Sequence, residues 1–265
     1  MNNKNNSLEG NIMYRTFSAI AMATLLSGCI VHIGGNTNSA DTHIERELVL
    51  NASQLSTLIA ETGAGSLKII GSDSSDKITV NADIYTSEDL NYELSLTQSG
   101  DTAKLVAIHD IQDGLRIHIN QGHSIDLVIT MPSKLALELD DSSGDVTING
   151  LSNTIKVDDS SGDLTIDGGK SVYVDDSSGS LYISNIQGDV EIDDGSGDTQ
   201  VENTKGAVTI EDGSGDLLVR NVTGTVKVDD GSGDITVNGA GGLIVEDDGS
   251  GDLNIDNVKG EVKID

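Results

Sequence analysis

From residue 138 onward, apolar and polar residues alternate in short runs, and the runs come back at a fixed interval. Leu217 and Val219 alternate with polar or outward residues, and Val226 and Val228 do the same a few residues later. Alternation at period two predicts strands with one buried face. The stretch Arg220-Asn221-Val222-Thr223-Gly224 between the runs reads as a turn, as does Asp230-Gly231-Ser232-Gly233 after them. Each unit therefore holds two short strands and two corners. No helical period of 3.6 is visible over 138–265.

The unit carries Asp-Asp-Gly-Ser-Gly-Asp followed by an apolar–x–apolar triplet. Its acidic doublet begins at Asp140, Asp158, Asp175, Asp193, Glu211, Asp229 and Asp247, and Asp265 begins one more; six of the seven intervals are 18 residues and one is 17. A period this short predicts one small unit stacked on copies of itself, a parallel β-solenoid. Stacking places equivalent residues about 4.8 Å apart in columns. One predicted column is Val146, Leu164, Leu181, Thr199, Leu217, Ile235, Leu253. A second is Ile148, Ile166, Ile183, Val201, Val219, Val237, Ile255. A third is Ile155, Val172, Val190, Val208, Val226, Ile244, Val262. Leu151, Ile186, Val222 and Val258 close the core at the first corner. One Phe and no Trp suit a narrow aliphatic interior.

Gly144, Gly162, Gly179, Gly197, Gly215, Gly233 and Gly251 share a corner slot, where a tight reversal calls for φ > 0. The serine before each, Ser143 through Ser250, shares parity with the core and is expected to form an inward ladder serving corner backbone groups. The slot before the doublet holds Val or Ile except at Glu246. A one-residue slip near 241–246 is therefore expected, absorbed by Gly239-Ala240-Gly241-Gly242, with Val245 inward and Glu246 outward. A degenerate copy, Glu61 to Ile69, places the solenoid's start near residue 55. Alternating runs near 77–85, 92–97, 103–109, 115–119 and 125–130 predict antiparallel strands over the solenoid's open end. Pro132, the single proline, is placed in the link into the regular coils.

The chain has 44 acids against 15 bases, and residues 138–265 alone hold 29 against 7. Such a field repels nucleic acid and anionic lipid, so a nucleic-acid partner is excluded. Stacked carboxylates repel by about 0.9 kcal/mol per pair at 4.8 Å in bulk water. Splaying, raised pKa values or cations must relieve this. Oxygen-rich loops with glycine suit Ca²⁺, and Asp194, Asp212, Asp230 and Asp248 are the candidate ligands. No other cofactor is expected. Candidate chemistry elsewhere is thin. His118 and His123 flank a Gly turn and are a weaker metal candidate; Tyr173 and Tyr182, outward on adjoining strands, are candidates for a sugar-stacking patch. Gly-x-Ser-x-Gly, P-loop and His-Glu-x-x-His motifs are absent.

At the N-terminus, Arg15 precedes a short apolar run, Phe17 to Leu26, and then Leu26-Ser27-Gly28-Cys29. The tetrapeptide looks like a bacterial lipobox, which implies cleavage and lipidation at Cys29, the single cysteine, and an anchor in the lipid bilayer. Met13 is the expected natural start. Ile30 rather than Asp follows the cysteine, which favours the outer membrane of a Gram-negative bacterium. The expected organisation is a signal peptide over 1–28, a lipidated tether over 29–43, an irregular first coil with a β-rich cap over 44–137, and the regular solenoid over 138–265.

The run Ile125-Asp126-Leu127-Val128-Ile129-Thr130-Met131-Pro132, the repeated x-Ser-Gly-Asp-apolar-x-apolar from 142 to 255, and Leu58–Ile69 together resemble a bacterial β-strand-repeat family known as "putative adhesins", a domain of unknown function. The resemblance covers roughly 44–265 and implies an all-β solenoid at the cell envelope. The heavy Asp doublets depart from the family's pattern. The leading expectation is a non-catalytic structural or interaction lipoprotein, with adhesion to an envelope protein or glycan among its roles. The alternative is a divalent-cation-binding acidic scaffold. A β-helix enzyme acting on polysaccharide is remote, since the coils vary by at most one residue and Arg220 is their single arginine.

Overall fold

The structure, a computed structural model, describes residues 40, 42–87, 90–110 and 122–264, with the backbone of three short strands at Ala21–Met22, Thr24–Leu26 and Ile30–His32. Among the described residues there is no helix. Two sheets face each other across an aliphatic core, and the chain passes from one to the other at each corner. Along the regular coils, the first sheet stacks Ala136–Ser143, Ile155–Asp159, Val172–Asp176, Val190–Asp194, Val208–Asp212, Thr225–Asp230, Gly242–Asp247 and Val262–Ile264, all parallel. The second stacks Leu67–Ser72, Val146–Asn149, Leu164–Asp167, Leu181–Ser184, Thr199–Glu202, Leu217–Arg220, Ile235–Ala240 and Leu253–Val258, also parallel.

The first two predicted columns pair residue for residue. Each buried Val, Leu or Ile contributes roughly 1.5–3 kcal/mol. No single coil has another coil's wall to bury against, so this stabilisation exists only in the stack. The third column needs one correction. Val226 pairs with Leu243, which pairs with Val262, and Ile244 lies beside the core, only half-buried. The cause is the slip: Val228 aligns with Val245, but Asp229 aligns with Asp247, so Glu246 is the extra residue. It points outward and its carboxylate lies 2.8 Å from Lys227 Nζ, while Val245 is buried.

Two corner slots show why the repeat spells what it does. At Gly197 φ is 144°, and a Cβ there would fall on the carbonyl oxygen of Gly179 in the neighbouring coil. The glycine is demanded by the close approach of coils as much as by the turn. At the other corner Asn185, Asn203, Asn221 and Asn257 sit near φ +60°, the left-handed region that Asn tolerates, in the slot that Gly150, Gly168 and Gly239 fill elsewhere.

Both sheets continue past the first coil into a cap of longer strands. Thr102–Asp110 joins Thr57–Ala64 in parallel, and Asn91–Ser99 then pairs with it antiparallel. On the other sheet Ser124–Pro132 joins Leu67–Ser72 in parallel, followed by antiparallel Lys77–Thr86 and Thr42–Asn51. Antiparallel strands thus cover the open end, but each sheet meets the solenoid through a parallel strand. The run expected at 115–119 lies outside the described residues. Pro132 ends its strand, buried opposite Ser72, and the backbone bond to that residue's carbonyl passes to Ser133 N–H. Ala21–Met22 and Thr24–Leu26 lie against the outer strands of the two sheets.

Candidate functional site

The strands of the first coil sheet end in the acidic doublet, and alternation sends its two acids to opposite sides. Ile155, Val157 and Asp159 all face inward, and so do their equivalents in each coil. Asp141, Asp159, Asp176, Asp194, Asp212 and Asp230 thereby form a column of carboxyl groups inside the solenoid, each at most 5% exposed. Oδ1 of Asp159, Asp176, Asp194, Asp212 and Asp230 accepts the backbone N–H of the serine two residues on, at 3.0–3.1 Å. This Asx-type bond closes the corner locally. Oδ2 of Asp141, Asp159, Asp176, Asp212 and Asp230 is buried without a hydrogen-bond partner. Asp194 differs because Thr199 replaces the usual Leu and donates to its Oδ2 at 2.8 Å. Thr62 tops the column and donates its hydroxyl to Asp141.

Burial penalises the charged form, and stacked neighbours add to the penalty. Burial lifts Asp141 to about 6, against the Thr62 hydrogen bond that opposes the rise. Burial, with Asp141 above, lifts Asp159 to about 6. Burial, with Asp194 and Asp159 on either side, lifts Asp176 to about 6. Asp212 reaches about 7 through burial and the charges of Asp194 and Asp230. Burial also raises Asp230 and Asp194, the latter opposed by Thr199 and Ser196.

The outer face of the same strands carries the other acids: Asp140, Asp158, Asp175, Asp193, Glu211 and Asp229 in register. Beside them run Glu138, Lys156, Tyr173, Glu191 and Thr209. With Ile59, Glu61 and Lys104 of the cap side they line an open groove of about 570 Å³. Lys104 and Lys156 pair with Glu61 and Glu138, at 3.4 and 3.8 Å, and no lysine among the described residues lies within ion-pair distance of the Asp column, although Lys227 attracts Glu211 and Asp229 through space. Asp158 is pushed up by burial and by the charges of Asp175 and Asp140. A third acidic column is structural. The post-glycine Asp198, Asp216 and Asp234 each accept the backbone N–H of the same slot in the next coil at 2.8–3.1 Å.

Of the four candidate calcium ligands, Asp194, Asp212 and Asp230 meet in the interior column. Asp248 does not: it is only half-buried, and in its coil Asp247 is the corner acceptor, taking the N–H of Gly249 at 2.9 Å. The corner serines are half-buried or exposed rather than inward. Their service to corner carbonyls does occur, as Ser178 Oγ donates to Ser160 O at 3.3 Å. The inward polar ladder is made of aspartates because alternation continues to the end of the strand and breaks only at the corner. Tyr173 is 40% exposed in the groove and Tyr182 is half-buried on the opposite sheet, so they form no joint patch. His118 and Cys29 lie outside the described residues. His123 meets His109, edge to face with ring centroids 6.2 Å apart. Both Nε2 atoms are buried and unpartnered, and burial lowers the pKa of His109.

A two-sheet stack of short parallel strands, held by an in-register acidic and glycine corner, defines the chain as a β-solenoid repeat protein. It belongs to the Toastrack DUF4097 family, whose model matches residues 36–265. None of the curated proteins matches the sequence. Solved structures are similar to it, two of them as follows. A "putative adhesin" from Bacteroides fragilis NCTC 9343 is 16% identical, with a TM-score of 0.46, covering 87% of this chain and 100% of its own. A "putative cell adhesion protein" from Clostridium sporogenes ATCC 15579 is 17% identical, with a TM-score of 0.32, covering 83% of this chain and 97% of its own.

Proposed function

We propose that the protein is a non-catalytic interaction domain held at the bacterial cell envelope by a lipid on Cys29, and that it presents its acidic solenoid face to a protein or glycan partner. The observation that carries this reading is the groove around Tyr173, a rigid surface on which unpaired carboxylates repeat coil after coil. The single cysteine behind a short apolar run supplies the anchor, and Ile30 after it favours the outer membrane. Adhesion is one form such an interaction takes. Capture from intact envelopes tests the face: Tyr173→Ala with Asp158→Asn and Asp175→Asn should lose the partner that the unaltered protein retains. Equal capture by both would sink the assignment of this face. Cys29→Ser should release the protein from the membrane fraction or leave its precursor uncleaved; unchanged processing and fractionation would remove the anchor. Release of fragments from envelope polysaccharide by the purified protein would instead favour an enzyme.

A second reading, a cation-binding scaffold, rests on the unpartnered Oδ2 atoms of Asp212 and Asp230 beside Asp194. Ca²⁺ takes six to eight oxygens, and each coil supplies one inward carboxyl, so waters would have to complete the shell. Thermal melts in NaCl and CaCl₂ at equal ionic strength separate the cases. A calcium-specific rise in Tm, lost in Asp212→Asn with Asp230→Asn, supports specific binding; equal rises mean screening alone.

A further inference from the structure

Every histidine of the chain lies before residue 124, and the regular coils have none. The cap gathers one of them with two acids. Thr42–Asn51 turns Ile44 inward, so His43 and Glu45 face outward; Lys77–Thr86 likewise buries Ile84 and turns Asp83 and Tyr85 outward. The antiparallel register sets Tyr85 opposite His43 and Asp83 opposite Glu45. The Tyr85 ring stacks on the imidazole, centroids 4.6 Å apart and planes within 6°, which holds the ring in place. His43 Nε2 lies 3.0 Å from Asp83 Oδ1. One donor atom from each of His43, Glu45 and Asp83 lies within 4.8 Å of the others.

This arrangement is costly as it stands. Glu45 and Asp83 are like charges directly across a strand pair, which destabilises. The next strand adds Asp126 opposite Asp83, with its Oδ1 already held by the Ser66 N–H and hydroxyl. Among the described residues no lysine or arginine pairs with Glu45 or Asp83. The Arg46 guanidinium turns to the backbone carbonyl of Glu45 at 2.9 Å.

We propose that His43, Glu45 and Asp83 form a binding site for a divalent transition-metal ion of the zinc class. One imidazole nitrogen and two carboxylate oxygens are a zinc donor set, whereas Ca²⁺ and Mg²⁺ favour all-oxygen shells. Zinc bonds of about 2.0–2.2 Å place tetrahedral donors roughly 3.3–3.5 Å apart. The His43–Asp83 pair is already that close, and the flexible Glu45 side chain has only about 1 Å to travel. The fourth position stays open to water or a donor from a partner. The ion replaces the repulsion between the two carboxylates with attraction and locks Thr42–Asn51 to Lys77–Thr86. The proposal is independent of the interaction surface on the coils.

Zinc titration by calorimetry on the full chain tests this, in a Cys29→Ser background so that the thiol takes no metal. One equivalent of Zn²⁺ should bind, and His43→Ala, Glu45→Gln and Asp83→Asn should each weaken it at least tenfold. The variant His109→Ala with His123→Ala should bind as before, and excess Ca²⁺ should not compete. Should a variant misfold, the imidazole NMR signals of the Cys29→Ser protein decide, since His43 must respond to the first equivalent ahead of His109 and His123. No zinc binding, binding indifferent to His43→Ala, binding lost with the His109–His123 pair, or displacement by Ca²⁺ would each overturn the proposal.

Discussion

The coils and the cap share both sheets and one continuous core, yet they handle polar groups in opposite ways. Cap strands run to nine or ten residues, and Lys77–Thr86 fills its inner face with Ile78, Val80, Ala82 and Ile84. Most coil strands last four to six residues and reverse at once, and in one sheet their inward row finishes on a carboxyl. A short strand needs a side-chain acceptor for the corner N–H, and Asp supplies it two residues ahead. The ten-residue Thr42–Asn51 closes its corner in the same way, with Asn51 Oδ1 accepting the Ser53 N–H at 3.0 Å, but its acceptor is a neutral, exposed amide rather than a buried carboxyl. The comparison shows that the buried acids follow from short coils, and that their energetic cost recurs in every coil.

The largest break in this comparison should come from the corner glycine. Gly197→Ala puts a methyl onto the Gly179 carbonyl at a φ that alanine avoids. A loss on the order of 4 kcal/mol or more is expected in chemical denaturation, since backbone has to move. An alanine at Gly100, where a Cβ meets nothing within 4 Å, should cost far less despite its positive φ.

The carboxyl column should show next, as a pH dependence. Asp159 and Asp176 stand at about 6 and Asp212 at about 7, above the ordinary 3.8. Below pH 3.8 folded and unfolded chains both keep these protons, and the full stability is present. As pH rises, the unfolded chain ionises first, so stability falls until the folded pKa values are passed and then levels off. Each carboxyl contributes on the order of 3–4 kcal/mol to that fall. Melts between pH 4 and 8 should therefore show a falling Tm. Asp176→Asn with Asp212→Asn should flatten the fall and raise the Tm at pH 8. Asp175→Asn with Asp229→Asn, on the outer face, should leave the slope in place; equal effects from both pairs would show that net charge, not burial, governs it.

The junction sharpens the contrast. Thr62 of the first, degenerate coil donates to the topmost carboxyl, and beyond it the same slot is Ala107, with no polar group left. Thr62→Val keeps the shape and strands Asp141, so a cost of about 1–3 kcal/mol is expected, larger at pH 8 than at pH 5. The smallest effect belongs to the bulge. Lys227→Ala breaks an exposed pair with Glu246 and should cost under about 1 kcal/mol at low salt, and less in high salt.

Much of the coil was readable from the chain. The apolar columns, the glycine slot and the outward turn of Glu246 all follow from spacing, because each coil contacts only its neighbours and pairs at a fixed offset. The inward aspartates were readable too, since Ile155, Val157 and Asp159 share parity. The habit of placing acids in water pointed to Ser161 instead, across a corner where parity no longer holds.

The sequence by itself determined the repeat, its register and its slip, since stacking is a nearest-neighbour interaction written into an 18-residue spacing. Only the tertiary structure decided which distant residues meet. Thr62 reaches Asp141 across 79 positions, His43 reaches Asp83 across 40, and His109 stands beside His123. These contacts depend on how cap strands of unequal length align, and no repeat in the sequence records that alignment.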